Sequence, residues 1–367
     1  MPPRAPLLAA LLSGLLACRP ATVDDTAGST AGDEVHDALI QEGADAPVNP
    51  PICLSEVSRY EGGELLVYDL AWSPDGRHLL TGSLNLLRLY GVDPGGGLTL
   101  LDTVHSPDRF NSIQWSPDGA IAFAPTGTHL MMFTVEDGAL EVVSRGGRHP
   151  EALQRVALSP DGGRLLSCDV VGVTRLYQVS SSPPSVSTLD AVEAHERCTR
   201  VAWSPDGAMA LSTGHDGNFV LYRVGEGGLE VADKLQVEEE TGEAVFGRDV
   251  REAVGGSFGE LNQLWYLTVE PEAGRLSIAQ TIEGHASGIG ALEWSHGGEY
   301  LLSGSHDHTL HILERRADGR GLQGVSDHPD DGAGVHSARW SPDDTRIART
   351  GSDRDLLMVL DVVPCGR

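Results

Sequence analysis

Two sets of residues have the make-up of a hydrolase triad. His285, Ser303 and Asp307 form one, and His195, Ser212 and Asp216 repeat it at nearly the same spacing. An imidazole that takes a serine proton while a carboxylate orients it does acyl transfer. A nucleophile is needed once, however, and recurrence at equivalent positions argues for a structural use. Gly255-Gly256-Ser257-Phe258-Gly259 fits G-x-S-x-G, whose serine is exposed as a nucleophile on a strand-to-helix elbow. Here strand-like sequence lies on both sides. Gly319-Arg320-Gly321-Leu322-Gln323-Gly324 fits G-x-G-x-x-G, but no helical pattern follows to receive a phosphate. His306, His308 and His311 crowd one turn. Strand alternation sends His308 and His311 to opposite faces, so a metal would need a further ligand from elsewhere. Exposed turn histidines are the expectation there, and no catalytic, metal or cofactor site is expected from any of these patterns.

The elements that carry these residues repeat. "WSPDG" stands at Trp72, Trp115 and Trp203, with "LSPDG" at Leu158, "WSHGG" at Trp294 and "WSPDD" at Trp340. Phe246 occupies the same slot in "VFGRDVREAVGGS", which keeps the apolar pattern and loses Ser-Pro-Asp-Gly. The seven markers are spaced 43–48 residues apart. A period near 40–45 with four strands per unit is that of propeller blades. In the first unit Leu79–Gly82, Leu86–Val92 and Leu98–Val104 read as strands separated by turn residues. Ser73-Pro74-Asp75-Gly76 suits a type I turn. The prediction is an all-β, seven-bladed propeller over residues 52–367.

Over roughly residues 52–363 the sequence resembles the WD-repeat β-propellers. The third strands end in Tyr90, Phe133, Tyr177, Tyr222 or Leu313, with Trp265 offered in blade five; Gly284-His285 and Ala194-His195 match the dipeptide that opens a family blade. The resemblance implies that the two Ser/His/Asp sets are hydrogen-bond networks inside blades. It also implies that the first ordered strand, Leu54–Tyr60, completes the last blade, which otherwise has three strands. That closure would bring Cys53 beside Cys365 within disulfide reach. Cys168 and Cys198 fall in adjacent blades and are expected as separate buried core residues.

The N-terminus reads as an address. Arg4 precedes an apolar run, Leu7–Ala17, too short to span a bilayer and suited to a secretory signal over residues 1–17. The run ends in Leu15-Leu16-Ala17-Cys18, which resembles a bacterial lipoprotein box with Cys18 as the lipid-bearing residue. Removing Cys18 leaves an even number of cysteines, in a disulfide-permissive compartment. Residues 18–51 are an acidic, aperiodic linker that cannot bury enough surface to fold. Arg19 after the cysteine implies, by the same resemblance, sorting to the outer membrane.

A formal net charge of −27 argues against nucleic acid, which needs a basic face. Propellers of this kind bind through the loops joining blades and the second turns within blades. By slot, that face holds Arg109, Phe110, Arg148, Arg197, His215, His306, Arg354 and Asp355. The expected function is a non-catalytic protein-interaction scaffold tethered to the cell envelope, its partner a protein and its membrane contact the lipid alone. The alternatives are a structural part of a larger envelope complex, and a propeller hydrolase or lactonase with a metal on the central axis. The latter needs carboxylates at matching inward slots. The slot three residues before each marker reads Asp69, Ser112, Arg155, Arg200, Glu243, Ala291 and Ser337, which is no oxygen-rich cage.

Overall fold

The computed structural model describes residues 49, 51–62, 66–329, 333–352 and 356–365. Cys18, Arg354 and Asp355 lie outside them. Seven four-stranded antiparallel sheets follow one another round a ring. Blade one is Val67–Trp72, His78–Ser83, Leu86–Val92 and Leu98–His105, from the axis outward. Blades two to six occupy 114–146, 153–193, 198–236, 241–282 and 289–329 in the same order.

The repeated sequence closes each blade locally. Ser73 O accepts from Gly76 N at 2.9 Å, and Gly76 takes a φ of 69° that its missing side chain allows. The Ser73 hydroxyl donates to Asp75 and accepts from His78 N, while Asp75 accepts from Arg77 N. The same serine–aspartate bond is 2.6 Å long in blades one to four and seven. It holds the Asp118 and Asp161 carboxyls below their ordinary value. Blade five keeps half of the device: Asp249 accepts from Arg251 N at 2.9 Å, but Gly247 stands in the serine slot.

The marker tryptophans explain why the unit recurs as a neighbour-to-neighbour contact. Trp72, Trp115 and Trp203 donate their indole N–H to Arg339 O, Ala71 O and Ala157 O, each on the inner strand of the preceding blade. Instead of one central core there are seven apolar clusters, one between each pair of adjacent blades. Each blade is therefore stabilised only by its neighbours, and the ring has no spare interface.

The last blade, 335–364, takes Ile52–Glu61 as its outer strand, paired from Ile52↔Pro364 to Glu61↔Leu356. Tyr60 reaches the cluster between blades seven and one, edge-on to Tyr90 at 5.1 Å. Closure removes the sheet edge that an open ring would expose. Cys53 and Cys365 are joined, as the closure implied. Cys168 and Cys198 are joined as well, with Cα atoms 5.9 Å apart, and this corrects the expectation of separate thiols. The two lie at the same depth in the cluster between blades three and four, where neighbouring backbones come close.

One strand position also needs correcting. The blade-five residue equivalent to Tyr90 is Leu267, since Ala253 pairs with Leu267 as Leu79 pairs with Tyr90. Trp265 lies two residues earlier and packs edge-on against Phe219 of blade four at 5.7 Å.

Candidate functional site at the mouth of the ring

The Ser/His/Asp sets are assembled inside their blades. His195 Nε2 meets Ser212 Oγ at 2.7 Å and its Nδ1 meets Asp216 at 3.0 Å. His285 Nε2 meets Ser303 Oγ at 2.8 Å and its Nδ1 meets Asp307 at 3.2 Å. A third copy, missed in the sequence, joins His149 to Ser167 at 2.6 Å and to Asp169 at 2.9 Å. The 17–18 residue step from histidine to serine is common to all three and could have found it. Its aspartate follows the serine by two positions instead of four.

Ser167, Ser212 and Ser303 are fully buried, and Ser212 also bonds the Tyr222 hydroxyl. Burial pushes His149 and His195 below the ordinary histidine value, against the pull of Asp169 and Asp216. Burial opposes the charge of Asp307, yet His285 and Thr309 hold its carboxyl far below the usual range. In the His195 and His285 copies the arrangement ties the loop before the inner strand to the turn after the second strand; in the His149 copy it reaches the end of the second strand itself. It leaves no hydroxyl open to a substrate.

The other tempting patterns separate. Ser257 is buried at a strand end and accepts from Gln263 N, with no helix after it. Gly319 closes a turn on Arg316 O between strands. Of the three histidines only His308 is the exposed turn residue expected. His311 is buried and stacked on His285 at 4.0 Å, and His306 is half-buried at the mouth of the ring. Among the described residues no three His, Cys, Asp or Glu side chains gather to hold a metal ion.

That mouth is built by a repeated irregularity. The inner strand slips by one residue near its start in every blade. Tyr68, Gln154, Thr199, Gly290 and His336 are the residues skipped in blades one, three, four, six and seven. In blades two and five the slip falls between Phe110 and Gln114 and between Thr241 and Ala244. A bulge re-aims the extra side chain out of the strand's alternation. Tyr68, Asn111, Gln154, Thr199, Gly242, Gly290 and His336, all four residues before a marker, line one cavity of about 290 Å³.

The cavity wall has two halves. Aromatic rings run round one side: His215, Phe258, His306, His336 and Tyr68 follow in contact, with centroid separations of 5.5–6.1 Å. Arg109 ends this arc, its guanidinium 5.4 Å from the Tyr68 centroid. Asn111, Gln154, Arg155, Arg197 and Thr199 make the other side. Beneath them the charged inner slots neutralise one another. Asp69 accepts from Arg339, Ser337 and Ile113 N, joining blades seven, one and two. Burial would raise its carboxyl, but Arg339, Arg155, Arg200 and the Ile113 N–H together outweigh it and the group is held low. Arg200 pairs with Glu243 at 3.1 Å.

Of the face read from the sequence, Arg109, Arg197, His215 and His306 do line the cavity. Arg148 is exposed on its loop but outside the cavity wall. Phe110 is not on the face. It is fully buried between blades one and two, because the bulge that follows turns it inward. The phenylalanine that lines the cavity is Phe258, 45% exposed.

Comparison with known families places the WD domain, G-beta repeat at residues 53–90, 185–223, 276–313 and 321–358. Each matched stretch runs from the outer strand of one blade to the third strand of the next, so the sequence unit straddles the structural one. No curated protein sequence matches the chain. The four matched repeats and the seven-bladed ring together support a WD-repeat β-propeller.

Proposed function

We propose that the chain is an exported platform, tethered to a bacterial cell envelope through a lipid on Cys18, that holds a protein partner at the mouth of its ring without acting on it chemically. One observation carries the reading: a single cavity collects the side chains of the bulges together with Arg109, Arg197 and the exposed Phe258. Arginine and aromatic residues are the usual anchors of interfaces. The buried, fully engaged serines support a non-catalytic role.

Chain direction favours the tether. Glu61 ends the closing strand next to the mouth, and Ile52 begins it on the opposite side, roughly 30 Å away for a strand of this length. A linker leaving there turns the mouth away from the membrane.

A photo-reactive amino acid at position 109, 197 or 258 of the full-length protein should cross-link a distinct protein in intact cells. The same probe at Arg77, on the opposite side, should not. Equal products from both sides would refute the platform reading. Metabolic labelling with an alkyne fatty acid should mark the wild type and spare Cys18→Ser, and labelling of both would refute the tether.

A further inference from the structure

We propose that the mouth seats carboxylates of an acidic segment in the partner, with Arg155 at its base and Arg109 and Arg197 at its rim. The inference rests on the platform reading and names the chemistry of its ligand. In a chain with 53 acidic and 26 basic residues an arginine finds a carboxylate easily. Arg59, Arg200, Arg315, Arg339 and Arg346 each pair with one. Arg109, Arg155 and Arg197 make no direct ion pair among the described residues, although all three line one cavity; Arg155 acts on Asp69 only through its field.

The acids near them are engaged elsewhere. Glu240 takes His215 Nδ1 at 2.7 Å and Glu243 takes Arg200. The donors left over lie deeper. Arg155 spends Nη1 on Asn111 O and Gln154 O, while its Nε is buried without an acceptor. His306 Nε2 and His336 Nδ1 are likewise buried and unmatched in the same wall, and each donates in the neutral tautomer that places its proton there. A buried N–H without an acceptor costs free energy that an incoming oxygen recovers. A carboxylate is acceptor-only and matches this set. Tyr68 and Phe258 supply the apolar surface against which the methylenes of a glutamate pack. Three cations suit a short acidic segment. A nucleic acid would bring one charge per 1.7 Å or so against a protein of net charge −27.

The test is fluorescence anisotropy of the full-length protein with a labelled Gly–Ser peptide carrying several glutamates, against its glutamine counterpart. The glutamate peptide should bind at least about tenfold more tightly, and Arg109→Gln and Arg197→Gln should each weaken it severalfold with unchanged melting temperature. Arg155→Lys, which keeps the charge and loses the planar fork, should weaken it further. Equal affinity for the two peptides, no binding of either, or indifference to these substitutions would overturn the carboxylate assignment. The cross-linking at position 258, which leaves all three arginines in place, separates the two readings. A partner captured there whose binding ignores Arg109→Gln and Arg197→Gln sinks the carboxylate and spares the platform, whereas no capture sinks both.

Discussion

Cys53 and Cys365 face each other across the seam of the ring, with Cα atoms 4.9 Å apart and a sequence separation of 312. The bond fastens the start of the closing strand to the end of its neighbour, at the one place where a blade is not continuous in the chain.

Opening that bond should loosen the whole ring. Chain entropy limits its stabilisation to about 6 kcal/mol for a loop of this length. Cys53→Ser with Cys365→Ser should lower the urea midpoint, and hydrogen exchange should quicken first over Ile52–Glu61. An unchanged midpoint would show that the seam holds by strand pairing alone.

The second bond closes a much shorter loop, 30 positions, and the same model limits it to about 3–4 kcal/mol. Cys168→Ala with Cys198→Ala should therefore cost less than the seam pair under the same denaturant. The reverse order would mean that packing between blades three and four, and not chain entropy, sets the cost.

What could be read beforehand follows the range of each interaction. The turns, markers and strand alternation act within one blade, so "WSPDG" and its relatives disclose blade number and order. The missing fourth strand of blade seven and the spare strand before blade one disclose the closure. The bulges were not legible, because one added residue flips every later side chain to the other face. Phe110 was misplaced for that reason. The Cys168–Cys198 bond depends on how deep two adjacent blades touch, which periodicity does not encode. The third histidine network was hidden by an aspartate held in the strand, at Asp169, instead of in the turn.

The histidine networks predict stability effects where catalysis would predict activity. His195→Ala leaves Ser212 and Asp216 without their partner and should cost roughly 1–3 kcal/mol in urea denaturation. A wild-type midpoint would contradict the role assigned to the network.

Asp69 predicts a larger loss. Asp69→Ala strips buried Arg339 of its nearer counter-charge, leaving Glu293 at 4.0 Å, and Ile113 N of its acceptor, joining points for three blades. Breaking a buried pair from one side costs about 3–5 kcal/mol. Replacing both partners, Asp69→Leu with Arg339→Met, should recover much of it. A double variant as unstable as the single one would show that the charges themselves are not the cause.

His336 predicts a pH dependence. Burial, and Arg155 beside it, push its imidazole down to about 4, whereas an unfolded chain takes up the proton near about 6.5. Between those values the unfolded state holds more protons, so stability should fall as the pH is lowered through that window. His336→Gln should show a flatter decline in melting temperature between neutral pH and about pH 4.5. Parallel curves would place the acid sensitivity elsewhere.

Because each bulged residue stands outside the ladder that builds its blade, Tyr68 and Gln154 are addressable separately from the fold, whereas Asn111 and Thr199 also tie neighbouring blades through Leu153 O and Thr241 O. Selection, or an engineer, can rewrite what the opening recognises one letter at a time while every hydrogen-bonded strand stays as it is. Gly290 is the fixed letter, since a side chain there would collide with Val335 O. The architecture thus separates the vocabulary of recognition from the grammar of folding.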